Sequence, residues 1–225
     1  MGFIRRIVVQ KLNTCKLDAT LSFMEYIVMG LGNPGDEYKN SRHSVGMFFL
    51  DALREKFSFS EWNTDKKKKA QISKGIIGKE KFVFVKPLTY MNNVGLAVKH
   101  FVKSPKDSAR LVAIHDDLDL PFGEARLVFA RGSAGHRGVM SVSKAIKGEN
   151  YFRIRVGISA AKKSGGVKKP ENKKGVTDFV LKGFSKKEVA ELQALSPAIA
   201  RALVNVASGT YGKKPTRFST AILPL

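Results

Sequence analysis

From Tyr26 onward, the apolar positions switch between two periods. Tyr26–Met29 is a short apolar run ending in glycine, as a buried strand does. Val45, Phe48, Phe49, Ala52, Leu53 and Phe57 then recur at three- and four-residue spacing, which lines one helix face. Alternation returns in Lys81–Lys86, which stops at Pro87, and helical spacing returns in Val94, Ala97, Val98 and Phe101. Leu111–Ile114 is apolar throughout, so it reads as a central strand that runs into His115 and Asp116. Arg126–Ala130 predicts a strand. Val139, Val142, Ala145 and Ile146 predict a helix stopped near Gly148, and Phe152–Ile158 predicts a further strand. Ser185 and Glu188 make a capping box ahead of a last helix, which Pro197 is expected to break or kink. This order predicts an α/β fold: a single three-layer domain with a mixed central sheet flanked by helices.

Three stretches fall outside that pattern. Lys66–Lys69 is a run of four lysines, most simply a solvated turn. Ala160–Lys174 holds six lysines, Gly165, Gly166, Pro170 and one acid, too little apolar surface to fold alone. It is either a flexible insertion or a basic flap beside an RNA site. Residues 1–24 set Arg5, Arg6, Lys11 and Lys16 against a single acid, Asp18. They resemble a mitochondrial transit peptide. The alternatives are an untargeted extension or a true start at Met24, which would leave a cytoplasmic protein. The domain itself spans 25–225.

Composition narrows the partner. The 225 residues are 43% hydrophobic, which is ordinary for a globular chain. A lone cysteine, Cys15, excludes a disulfide framework and a multi-cysteine zinc site. No uncharged apolar run is long enough for a membrane span. Forty Lys+Arg against nineteen Asp+Glu give a net charge of +21. Such a field attracts polyanions, nucleic acid first and anionic lipid second.

Several segments carry candidate chemistry. Gly30-Leu31-Gly32-Asn33-Pro34-Gly35 matches G-x-G-x-x-G after a strand, but a dinucleotide site needs a helix to begin within the glycines. Here Pro34 removes an amide and polar residues continue to Arg42. A tight turn that aims Asn33 at a pocket fits better. His43 sits just before the first long helix, where the dipole favours a neutral imidazole able to accept a proton from water. Asp116 follows the most buried strand, placed to orient a histidine across a pocket. A metal site from His115, Asp116 and Asp119 and a simple turn before Pro121 are the competing readings. Asn92 suits a peptide or ester carbonyl, or else caps the next helix. Ala130–Gly138, with Arg131, His136 and Arg137, is a glycine-rich turn suited to phosphate.

Together these segments resemble the bacterial-type peptidyl-tRNA hydrolases. The matching stretches are "IVMGLGNPGDEYKNSRHSVG", "KPLTYMNNVG", "HDDLDLPFGEARL", "GSAGHRGV" and "RIRVGI", in the family's order and spacing. The resemblance implies a single α/β domain and hydrolysis of the ester between peptide and tRNA. It implies no metal, no organic cofactor, tRNA as partner and a monomer. His43 would be the catalytic base, with Asp116, Asn33 and Asn92 completing the catalytic set. Tyr38, Met91, Arg137 and Arg155 would bind substrate, with Arg155 helping to hold the terminal phosphate and the 160–174 loop leading into a lid. Some relatives of this fold act as intron-splicing cofactors, so a non-catalytic RNA-binding role is the alternative. One departure stands out: the family's "GGHNG" reads "AGHRG", with Arg137 in place of an asparagine. Turned inward, Arg137 would pair with Asp116 and draw it from His43. Turned outward, it would hold a phosphate. Ser41 stands where threonine is common, which keeps the hydroxyl.

Overall fold

The computed structural model describes residues 25–211 and 216–219. The 1–24 extension and its targeting expectation lie outside the described residues. In chain order the strands are β1 (Tyr26–Gly30), β2 (Asn63–Asp65), β3 (Ala70–Ile77), β4 (Glu80–Pro87), β5 (Leu111–Pro121), β6 (Glu124–Phe129), β7 (Phe152–Ala161), β8 (Val167–Lys168) and β9 (Thr216–Ser219). The helices are α1 (Val45–Lys56), α2 (Gly95–Val98), α3 (Pro105–Ser108), α4 (Arg137–Ile146), α5 (Lys173–Leu181) and α6 (Lys186–Ala207).

The sheet runs β2-β3-β4-β1-β5-β7-β6-β9, with β8 folded back on β7. The central strands β4, β1, β5 and β7 are parallel, and the flanking pairs are antiparallel. Alternate residues of these strands enter opposite cores. Val28, Phe84, Val112 and Ile114 pack with α1 and α6, through Phe49, Leu53, Leu195 and Ile199. Met29, Val85, Leu111 and Ala113 pack on the other face with Val94, Val98, Val139 and Val142 of α2, α4 and the turn before α2. This is the expected three-layer α/β fold with a mixed sheet.

Four local differences have physical causes. First, β5 does not end before the acids: it continues to Pro121 because β7 extends beside it, pairing through Asp117↔Gly157 and, past a register shift, at Pro121↔Ser159. The acids therefore sit in a strand, not in a turn. Second, α6 runs unbroken through Pro197 for 22 residues. An interior proline costs roughly 3 kcal/mol, and Leu192, Leu195, Ile199 and Leu203, buried on both sides of it, offset that cost. Third, α2 is only four residues long, preceded by a 3₁₀ turn at Met91–Asn93. Fourth, 160–174 carries secondary structure of its own, the end of β7, β8 and the start of α5. Gly165 and Gly166, with φ of +88° and +78°, turn β7 back into β8, and Asn172 caps α5 by accepting from the Gly175 amide at 2.8 Å.

The end of β1 is packed tightly. A Cβ on Gly46 would run into the Ile114 carbonyl and the Leu31 backbone, so only glycine lets α1 lie this close to the β1–β5 seam. That contact fixes where the segment ahead of α1 starts, and His43 is in it.

Candidate active site

β5 outruns its neighbour. Gly30, the last residue of β1, pairs with Ile114, so Asp116 stands two residues past the rim. It is 3% exposed. Its Oδ1 accepts a hydrogen bond from His43 Nδ1 and another from His136 Nε2, both at 2.9 Å. His43 comes from the 3₁₀ turn Arg42–Ser44 leading into α1. His136 is the N-cap of α4, and its Nδ1 accepts from the amides of Gly138 and Val139 at 3.1 and 3.3 Å. Those acceptor bonds fix the tautomer and place the His136 proton on Nε2, toward Asp116. Likewise, donation from His43 Nδ1 leaves Nε2 as the basic nitrogen.

Burial alone would raise the Asp116 carboxyl, but the His43 and His136 rings hold it far below the ordinary carboxylate range. At His43, burial pushes the imidazolium down, and the charge and hydrogen bond of Asp116 outweigh it. The net shift is upward, with Arg137 opposing. The expected preference for neutral imidazole at the helix start is thus reversed, because a carboxylate at 2.9 Å outweighs a helix dipole.

The remaining candidates gather on the same rim. Asn33 lies in the loop after β1, and its Oδ1 accepts from the Met91 amide at 2.8 Å. The oxygen is therefore used to join two loops, and the NH₂ is the half of the side chain that can serve a substrate oxygen. Met91 is buried, and its sulfur lies where a Cβ on Gly138 would go, so the 89–93 loop and the head of α4 are in contact. Asn92 is exposed in its 3₁₀ turn and does not cap α2. Tyr38 is half-buried and meets Tyr90 edge-on, with ring centroids 6.4 Å apart. The Ser41 hydroxyl bonds to Ser44 Oγ at 3.1 Å, and Ser44 Oγ accepts from the Asn33 amide at 3.3 Å.

Of the two readings of Arg137 the outward one holds, and Arg155 is engaged by an acid. Arg137 heads α4, is exposed, and is not a partner of Asp116; His136 takes that place. Arg155 is half-buried and donates through Nε to Asp117, whose other oxygen accepts from the Asp119 amide at 2.8 Å. The guanidinium is thus held in one orientation by an acid that is itself fixed. Buried Arg153 donates to the carbonyls of Arg131 and Gly132 at 2.7 and 3.0 Å, which anchors the loop that leads to His136.

His43 is also held from the side. The amide of Arg42, the residue before it, donates to the Lys182 carbonyl at 3.1 Å, and Ser41 bridges Gly183. The Arg42 guanidinium donates to the Gly183 carbonyl at 2.7 Å and pairs with Glu188. It lies between the rings of Phe179 and Phe184, 5.1 and 4.9 Å from their centroids. The turn that carries His43 and the junction of α5 with α6 are thereby one unit.

Among the described residues, His115 and Asp119 do not bring ligand atoms together with Asp116. His115 Nδ1 donates to the Asp116 carbonyl at 2.7 Å, and Asp119 pairs with Lys169. A different group, His43, Asp116 and His136, places its ligand atoms within 4.8 Å of one another. Metal binding through His136 Nε2 would put a proton on Nδ1, against the two amides it now accepts from. The cluster is built for hydrogen bonding. The dinucleotide reading fails: after Gly35 the chain forms a 3₁₀ turn at Asp36–Tyr38, and α1 begins only at Val45.

Comparison with known proteins agrees with this geometry. Residues 27–222 match the model of the family described as peptidyl-tRNA hydrolase. The peptidyl-tRNA hydrolase of Rhizobium etli is 42% identical over 175 residues, covering 77% of this chain and 68% of that one. That of Pelagibacter ubique is 37% identical over 174 residues, covering 77% and 87%. The crystal structure of peptidyl-tRNA hydrolase from Acinetobacter baumannii superposes with a TM-score of 0.71 at 28% identity, covering 83% of this chain and 90% of that one. On its sequence, its fold and the His43–Asp116 pair at its rim, this chain belongs to the peptidyl-tRNA hydrolase family.

Proposed function

We propose that the protein hydrolyses the ester joining a peptide to the terminal ribose of tRNA, with His43 as the base. The observation that carries this is the 2.9 Å bond from His43 Nδ1 to Asp116, in a member of this family. It leaves Nε2 to take a proton from water as the water oxygen attacks the ester carbonyl. Asp116 stabilises the imidazolium that forms. The amide donors of Asn33 and Asn92 serve the oxyanion. The ester C–O bond then breaks, and the ribose oxygen leaves with the proton that His43 returns. A non-catalytic RNA-binding role would require none of these bonds. The net charge of +21 supports tRNA as the partner. The basic, acid-poor residues 1–24 support a mitochondrial site of action. Purified protein should release free peptide and tRNA from peptidyl-tRNA; failure to do so at any enzyme concentration refutes the assignment.

The pH dependence tests the base separately. Only neutral imidazole accepts the proton, so the saturated rate should rise with pH through the His43 pKa, which lies above 6.5. Arg137 lowers that pKa. Arg137→Asn should therefore move the acid limb of the rate profile to higher pH, and a limb that stays fixed or moves down contradicts this electrostatic reading.

A further inference from the structure

We propose that the β2–β3 turn, Lys66–Lys69, is a second phosphate-binding arm for the substrate RNA, set across the site from the lysines of 162–174; this rests on the tRNA reading above. Asp65 organises the turn. Its Oδ1 accepts from the Lys68 amide at 2.9 Å, and its Oδ2 pairs with Lys68 Nζ at 2.9 Å. The charge of Lys68 is thus used inside the turn. Lys66, Lys67 and Lys69 are exposed and belong to no ion pair among the described residues. Lys69 has φ of +52°, a left-handed backbone in which glycine or asparagine sits with less strain. A long cation is kept where the backbone disfavours it, which points to a use for the side chain.

The turn is on the rim that carries the site. Ala70 pairs with Pro87 at the carboxyl end of β4, and the Lys69 carbonyl accepts from the Leu88 amide at 2.8 Å. The next residues of that strand's exit are Thr89 to Asn93. Two strand spacings separate β3 from β1, about 10 Å, so lysine side chains reach the ground beside the Asn33 loop. Between them stands Tyr90, 56% exposed and edge-on to Tyr38, with exposed Lys39 following. An exposed ring beside a half-buried one, flanked by unpaired cations, suits a single-stranded nucleic-acid end, with a base on the exposed ring and phosphates on the cations. Phosphate contacts carry no sequence information, which fits substrates that share an RNA end and differ in peptide. An acidic peptide would meet the lysines but gain little from the rings.

The test is the triple variant Lys66→Ala, Lys67→Ala and Lys69→Asn, which leaves the Asp65–Lys68 pair intact and puts at 69 a residue that tolerates the left-handed backbone. The slope of log affinity for tRNA against log salt should flatten by about 2, for three contacts with single-stranded RNA at roughly 0.7 each. At physiological salt, KM for full-length peptidyl-tRNA should rise about tenfold, while cleavage of peptidyl-adenosine stays unchanged. An unchanged slope and KM would overturn the proposal. So would slower cleavage of peptidyl-adenosine, which would mean that the turn acts through the geometry of the site. A KM rise confined to acidic peptides at unchanged slope would overturn it in favour of a peptide-reading rim. If wild type and variant both fail to cleave yet differ in slope as stated, the arm stands and the hydrolase reading falls.

Discussion

His43→Ala should lower the saturated rate of peptidyl-tRNA cleavage by about 10²–10⁴-fold and leave tRNA affinity near wild type. The substitution removes Nε2, the proton acceptor, and the imidazolium that would return the proton. It leaves Asp116 with its bond from His136, so the buried carboxylate is not stripped of partners. The fold is expected to survive, because His43 contributes to neither core. Single-turnover measurement with a purified peptidyl-tRNA separates the rate from binding. A variant that keeps the wild-type rate would remove His43 from the mechanism.

Asp116→Asn should be at least as costly, of order 10⁴-fold by analogy with other acid–histidine pairs. The side chain keeps its shape and loses its charge. His43 then loses the partner that raises its pKa and favours Nδ1–H over the other tautomer. The sign follows: the residual activity should have its acid limb shifted to lower pH, opposite to the shift expected for Arg137→Asn. A thermal melt guards against misreading a folding defect as a catalytic one. A wild-type rate with an unshifted limb would show that the carboxylate neither orients nor charges the base.

Most of this architecture is legible in the sequence because the central strands are buried on both faces. Leu111–Ile114 and Tyr26–Met29 are apolar at nearly every position, and that signal is strong. β3 lacks it: only Ala70, Ser73 and Ile77 of its eight residues are buried, so no period stands out. α5 is likewise hidden, since a helix with one buried residue, Val180, reads as polar loop. At the site, His43, Asp116 and Asn33 are legible because each follows an apolar strand-like run or precedes a helical one, although β5 in fact continues through Asp116. In the sequence, His136 stands out only as part of a glycine-rich turn suited to phosphate. Its two bonds run to its own helix amides and to β5, and the second depends on a spatial meeting 20 residues apart in sequence. The helical spacing beginning at Val139 could have marked His136 as a cap, but histidine is not among the usual capping residues. The Asp117–Arg155 pair is invisible for the same reason. It exists only once β5 and β7 lie side by side.

The clamp around Arg42 sets where this protein is free to change length. On one side of the 169–171 arc, β8 is hydrogen-bonded back onto β7. On the other, the end of α5 is fastened to the residues just before His43 through Gly183, Lys182 and Glu188. Residues gained or lost within the arc change neither fastening. Doubling a flexible loop costs only about 0.6 kcal/mol in closure entropy. Insertions can therefore accumulate there, and with them lysines, while the imidazole keeps its position against Asp116. Descendants of this chain can remodel the reach of their basic arc with the His43 turn held constant.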